Sequence, residues 1–168
     1  MRRGRWIRPA LTALALGLPL LAAGARAGPG PLVGVEQVKD MQIALFAWPA
    51  EKGIVLPPLH IHPHGEGEPA GPPTHHIEVT VFDTIRRMNI PYLNVTATFQ
   101  NRLTGRSFTV DLLPMIGNTF HYGDNVALVK GNRYSILLDI RPPELMRSQQ
   151  QKDVWTTPAR VVFEYDYR

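Results

Sequence analysis

From residue 76 onward, apolar and polar positions alternate with a period of two, the spacing of a half-buried strand. In His76–Asp83, Ile77, Val79 and Val81 fall on one face and His76, Glu78, Thr80 and Phe82 on the other. Tyr92–Phe99 alternates again and is rich in β-branched residues. Ser107–Leu113 follows across Asn101-Arg102-Leu103-Thr104-Gly105, a plausible hairpin loop. Asn125–Val129 and Tyr134–Ile140 flank Lys130-Gly131-Asn132-Arg133, a second hairpin signal, and Pro142-Pro143 ends the later strand. Glu144–Asp153 is polar and predicts a short helix or a loop, and Arg160–Tyr167 alternates as a closing strand. Upstream, Met41–Trp48 reads as a strand stopped by Pro49, and Gly28–Gly34 as a loose start. Residues 57–75 are crowded with Pro, Gly and His, which excludes a helix or a central strand. The pattern predicts an all-β domain of about 7–8 strands, a two-sheet sandwich or small barrel, with no amphipathic helix of three turns.

The N-terminus changes the picture. Arg2, Arg3, Arg5 and Arg8 precede an apolar run, Ala10–Ala23, and Ala25-Arg26-Ala27 offers small residues for cleavage. Residues 1–27 therefore read as a secretory signal peptide, leaving 28–168 as one domain and a bacterial periplasm as its expected location. The run is too short to span a bilayer, which needs about 20 residues, so an uncleaved anchor is the weaker alternative. Five of the 18 Lys and Arg residues leave with the signal; 13 remain against 14 Asp and Glu. The mature domain is close to neutral, and nothing in it points to nucleic acid. The chain has no Cys, so there is no disulfide, and a metal site would have to use His, Met and carboxylates.

All six histidines lie between positions 60 and 121: His60, His62, His64, His75, His76 and His121. His76 and Glu78, two apart on a strand, share a face. His121 follows Met115 by six residues, with Gly117 and Asn118 between them, so a turn can bring the two together. Two His and a Met suit copper; an added carboxylate extends the range to iron, manganese or zinc. Met115 could equally fill core space, His121 could serve a turn, and His76 with Glu78 could be a solvated face. The loop histidines could bind metal weakly or be merely polar. No G-x-S-x-G, H-E-x-x-H or phosphate-binding Gly loop is present.

The stretch from Leu113-Pro114-Met115 to His121-Tyr122-Gly123-Asp124-Asn125, followed by Pro142-Pro143, resembles the periplasmic iron-transport proteins that work beside a high-affinity iron permease. His76-Ile77-Glu78, Ile90-Pro91-Tyr92-Leu93, Gly131-Asn132-Arg133-Tyr134 and Asp40-Met41-Gln42-Ile43 match in the same order. The resemblance implies an immunoglobulin-like β-sandwich, a homodimer and an inner-membrane iron permease as partner. It also implies a copper site linked to iron or manganese handling. Its ligands here would be His76, Met115 and His121, with Glu78 as a movable or second ligand, two from a strand and two from a loop. The sequence departs from the family in two places. Arg147 is followed by Ser148 and three Gln where the family has a histidine. The Met-to-His loop is also one residue short and carries Gly117-Asn118-Thr119 in place of acidic residues. A compensating ligand is expected from His60, His62, His64 or His75.

Two readings compete. A cupin-type metalloenzyme would use His60, His62 and Glu66 with His121; a plain structural sandwich would carry the histidines incidentally. The two metal readings differ in whether His121 pairs with His76 or with His60 and His62. A copper-tolerance role on the same fold is a variant of the iron-uptake reading.

Overall fold

The computed structural model describes residues 31–52 and 67–168. Residues 1–27, read as a signal peptide, and His60, His62, His64 and Glu66 lie outside the described residues. Among the described residues there are nine strands: β1 Leu32–Val38, β2 Met41–Pro49, β3 His75–Asp83, β4 Met88–Asn89, β5 Asn94–Asn101, β6 Ser107–Ile116, β7 Phe120–Val126, β8 Arg133–Arg141 and β9 Ala159–Asp166. One 3-10 turn, Gln149–Gln151, is the sole helical element among the described residues. The all-β expectation holds. The count rises to nine because β4 is two residues long and β1 occupies part of the stretch read as a loose start.

The strands follow one path, β1-β2-β3-β7-β6-β5-β8-β9, with β4 beside β3. That path folds into the two layers of a sandwich because β6 serves both: residues up to Leu112 pair with β5, and Leu113–Ile116 pair with β7. Pro114 falls in the second half, where β6 is an edge strand and no ladder donor is needed on its free side. The ends of the path meet. A Cβ on Gly34 of β1 would stand 2.9 Å from the Phe163 ring of β9, so glycine lets the two outer strands approach and nearly close a barrel.

Alternation builds the core as predicted. Ile77, Val79 and Val81 of β3 face Val95, Ala97 and Phe99 of β5 and Ile136, Leu138 and Ile140 of β8 in one buried cluster. The second hairpin prediction fails. The strand before Lys130 is Phe120–Val126, not Asn125–Val129, and β7 pairs with β3 and β6 while β8 pairs with β5 and β9. The turn at Gly131 (φ +83°) thus carries the chain from one sheet to the other, because each sheet already offers those strands longer partners.

Tyr122 of β7 ties this core to the β4–β5 connection. Its hydroxyl donates to Ile90 O at 2.7 Å and accepts from Leu93 N at 2.9 Å. Burial pushes its pKa up to about 12, against the smaller opposing effect of the Leu93 amide. Tyr122→Phe would orphan a buried carbonyl and a buried amide, and is expected to cost about 1–3 kcal/mol by urea denaturation.

Candidate metal centre

The site is a patch on the outer face of β3 and β7. Antiparallel register sets His76 opposite Asn125 and Glu78 opposite Gly123. On the other side of β7, Met115 of β6 is the direct partner of His121. Directly opposed residues share a face with Cβ atoms about 4.5–5.5 Å apart. His76, Glu78, Gly123, His121 and Met115 therefore stand on one surface, although they come from three strands. His121 belongs to a strand, not to the loop in which it was expected. The sequence His-Tyr-Gly-Asp-Asn has turn composition, yet Gly123 is there for space. A Cβ on it would lie 2.8 Å from His76 Nε2 and 3.0 Å from Ile77 O. The His76 imidazole thus lies across β7 in the gap glycine leaves, and its ring centroid comes within 5.9 Å of that of His121, nearly perpendicular to it.

Both imidazoles are held in one tautomer. His121 Nδ1 lies 3.0 Å from Thr119 O; a carbonyl only accepts, so Nδ1 carries the proton and Nε2 keeps its lone pair. His76 Nδ1 lies 3.1 Å from Asn125 Oδ1. The Asn125 amide is oriented by Glu51, whose N–H donates to Oδ1 at 3.1 Å and whose carbonyl accepts from Nδ2 at 2.8 Å. Oδ1 is therefore the atom facing His76, and Nδ1 is again the protonated nitrogen. Both Nε2 atoms are buried and make no hydrogen bond among the described residues. Buried polar atoms are almost always paired. Two imidazole Nε2 atoms without a hydrogen bond stand on one patch, each ring oriented by a bond to its other nitrogen, as histidines that hold a metal usually are.

The remaining predicted residues fall as follows. Met115 is half-buried beside His121. The Glu78 carboxylate accepts the Trp48 indole N–H at 3.0 Å; Trp48 is on β2, on the opposite side of β3 from β7, so this bond turns the carboxylate toward the β2 side. His75 points to the other face, into the sandwich. Its Nδ1 meets Thr74 Oγ1 at 2.8 Å and its Nε2 the Tyr165 hydroxyl at 2.9 Å, and burial lowers its pKa. Both of its nitrogens are hydrogen-bonded there, and the structure does not bring it together with His76 and His121. Around Ser148, Arg147 binds the carbonyls of Pro143, Leu145, Val154 and Trp155 and shapes that loop as a structural hub. No three His, Asp or Glu side chains come together at metal-ligand spacing among the described residues. The assembled donors are two imidazoles with a thioether on the neighbouring strand.

Residues 51–168 match the family model described as Fe2+ transport protein. The chain belongs to that family. UPF0423 proteins of Brucella abortus and Brucella suis are each 30% identical to it over 140 residues, covering 77% of this chain and 72% of theirs. Among solved structures, a copper-bound glutamate-to-glutamine variant of FetP from uropathogenic Escherichia coli is 20% identical, with a TM-score of 0.64 over 83% of this chain and 92% of that one. Copper-reconstituted P19 of Campylobacter jejuni is 20% identical, with a TM-score of 0.65 over 84% and 97%. At that identity the two structures bear on the fold, which this Fe2+ transport family member shares with them.

Sequence reasoning missed Gly123, Asn125 and Glu51. Gly123 and Asn125 were visible within the family motif, but their duty toward His76 depends on a partner strand far away in sequence.

Proposed function

We propose that the protein acts in iron uptake from the periplasm. On this reading it captures an ion at His76, His121 and Met115 and passes it to an inner-membrane iron permease. The observation that carries the reading is the pair of neighbouring imidazoles, 5.9 Å apart, whose buried Nε2 atoms make no hydrogen bond. Membership of the Fe2+ transport family and the copper bound by FetP and P19 support it. The donor set fits a transition metal. Two imidazoles with a thioether suit copper, and a carboxylate moving in would adapt the site to iron or manganese. Capture and release need ligand exchange only, so no catalytic residue is assigned. The secretory signal read at residues 1–27 supports the location, and the family resemblance supports a homodimer. The cupin alternative requires His121 to work with His60 and His62; its neighbour here is His76, which favours transport.

Calorimetric titration of the mature domain with Cu(II), Mn(II) and Fe(II), wild type against His76→Ala and His121→Ala, tests the proposal. Loss of tight binding in both variants is the expected result. Binding that survives in both would assign the ion to another site, and a wild type that binds no ion would end the reading.

A further inference from the structure

His76 is approached by a residue that the sequence pattern does not mark. On the outer face of a sandwich His76 should be open to solvent, yet it is buried. Among the described residues, the chain leaving β2 passes beside it. Ala50 N donates to Thr74 O at 3.1 Å, and the Glu51 backbone pairs through two hydrogen bonds with the Asn125 side chain on β7. Because β3 lies between β2 and β7, this segment crosses β3 above His76. The Glu51 carboxylate then comes to 3.6 Å from His76 Nε2, while its side chain remains 53% exposed.

We propose that Glu51 is a carboxylate ligand of the site and its selectivity-determining residue, receiving the ion from solvent and completing its coordination beside His76. The inference rests on the metal-binding reading above and adds a residue to it. Three observations support it. First, the coordinating face of His76 looks toward a carboxylate oxygen just beyond hydrogen-bond length, a gap that an ion lying between the two groups would occupy with modest side-chain rotation. Second, the backbone of Glu51 is fixed by the same Asn125 amide that fixes the His76 tautomer, so carboxylate and imidazole are positioned as a unit while the carboxylate end stays free to swing. Third, the other carboxylate on the patch, Glu78, is engaged by Trp48. Carboxylate oxygen is a hard donor and thioether a soft one. An ion held with Glu51 would be of the iron or manganese class, and one held with Met115 of the copper class; exchange between the two donors offers a route for hand-over.

The test compares Mn(II) and Cu(II) affinities of wild type, Glu51→Gln and His121→Ala by calorimetry, with Mn(II) electron paramagnetic resonance as a second readout. Gln keeps the size of the side chain, and the pairing with Asn125 uses only the Glu51 backbone, so the segment should keep its place. Glu51→Gln is expected to lower Mn(II) affinity about 10-fold, clearly more than Cu(II) affinity, and to change the Mn(II) spectrum. Equal loss for both ions, no loss for either, or a wild type that takes Cu(II) but no Mn(II) would overturn the role of Glu51 while leaving the histidine site intact. A wild type that binds neither ion would overturn the histidine site as well, so the two failures are distinguishable.

Discussion

Gly123→Ala is expected to weaken ion binding by about 10–100-fold, the range for changes to the shell that supports metal ligands, while the fold persists. The added methyl would stand 2.8 Å from His76 Nε2 and 3.0 Å from Ile77 O. The carbonyl belongs to the β3–β7 ladder and cannot retreat, so the imidazole must. It cannot rotate freely either, because Nδ1 is bonded to Asn125 and the Glu51 segment lies above it. The ring would have to leave the gap and carry its lone pair away from His121. Overpacking of this kind also costs about 1–3 kcal/mol of stability. Calorimetric titration alongside thermal melting separates the two effects. A variant that melts lower but binds as well as wild type would show that glycine serves the sheet and not the site.

Asp83→Asn is expected to be the converse, a large loss of stability with ion affinity retained. Asp83 ends β3 at the far end from His76 and is buried. Its carboxylate accepts four hydrogen bonds: the amides of Ile85 and Arg86 at 2.9 and 2.8 Å, Arg86 Nη1 at 3.0 Å and the Trp155 indole at 2.7 Å. An amide nitrogen in that place would face at least one of these donors with no lone pair to offer. The cost should be about 2–4 kcal/mol, typical of a broken buried charged network. The same carboxylate sets a pH dependence. Burial alone would raise its pKa, but the donors from Arg86, Trp155 and Ile85 outweigh it and hold the value below the ordinary carboxylate range. A group whose folded pKa is depressed contributes stability that is present above its unfolded pKa, about 3.9, and lost as pH falls through the folded value. Wild type should therefore lose stability below about pH 4, and Asp83→Asn, already destabilised at neutral pH, should show a shallower acid limb. Urea denaturation from pH 3 to 7 would reveal it; parallel acid limbs in the two proteins would mean that other carboxylates govern acid unfolding.

The strands of the first and last sheets were legible because their alternation is strong. Ile77, Val79 and Val81 faced inward as read, and His76 and Glu78 faced outward together. The proximity of Met115 and His121 was legible from spacing and a turn, and the register makes them direct cross-strand partners. The errors have local causes. Gly123, Asp124 and Asn125 carry turn composition inside a strand, so the sequence pattern begins a strand only at Asn125 and puts His121 in a loop, whereas β7 starts at Phe120. Lys130-Gly131-Asn132-Arg133 has hairpin chemistry, but hairpin chemistry specifies a reversal and not which strand will be hydrogen-bonded afterwards. His75 and His76 look alike as a pair of histidines. Adjacent strand positions face opposite ways, so one joins the candidate site and the other packs edge-on against Tyr165 and Tyr167.

The sequence by itself determined that this is an all-β chain, that Ile77, Val79 and Val81 face its core, and which histidines and methionine are candidates for an ion, because periodicity and residue chemistry are local properties. Tertiary structure alone decided that His76 meets His121, that Asn125 orients His76, and that Glu51 crosses above it. Those contacts join β3, β7 and the segment that follows β2, residues up to 74 apart in the chain, and which strands become neighbours in a sheet depends on how the whole core closes.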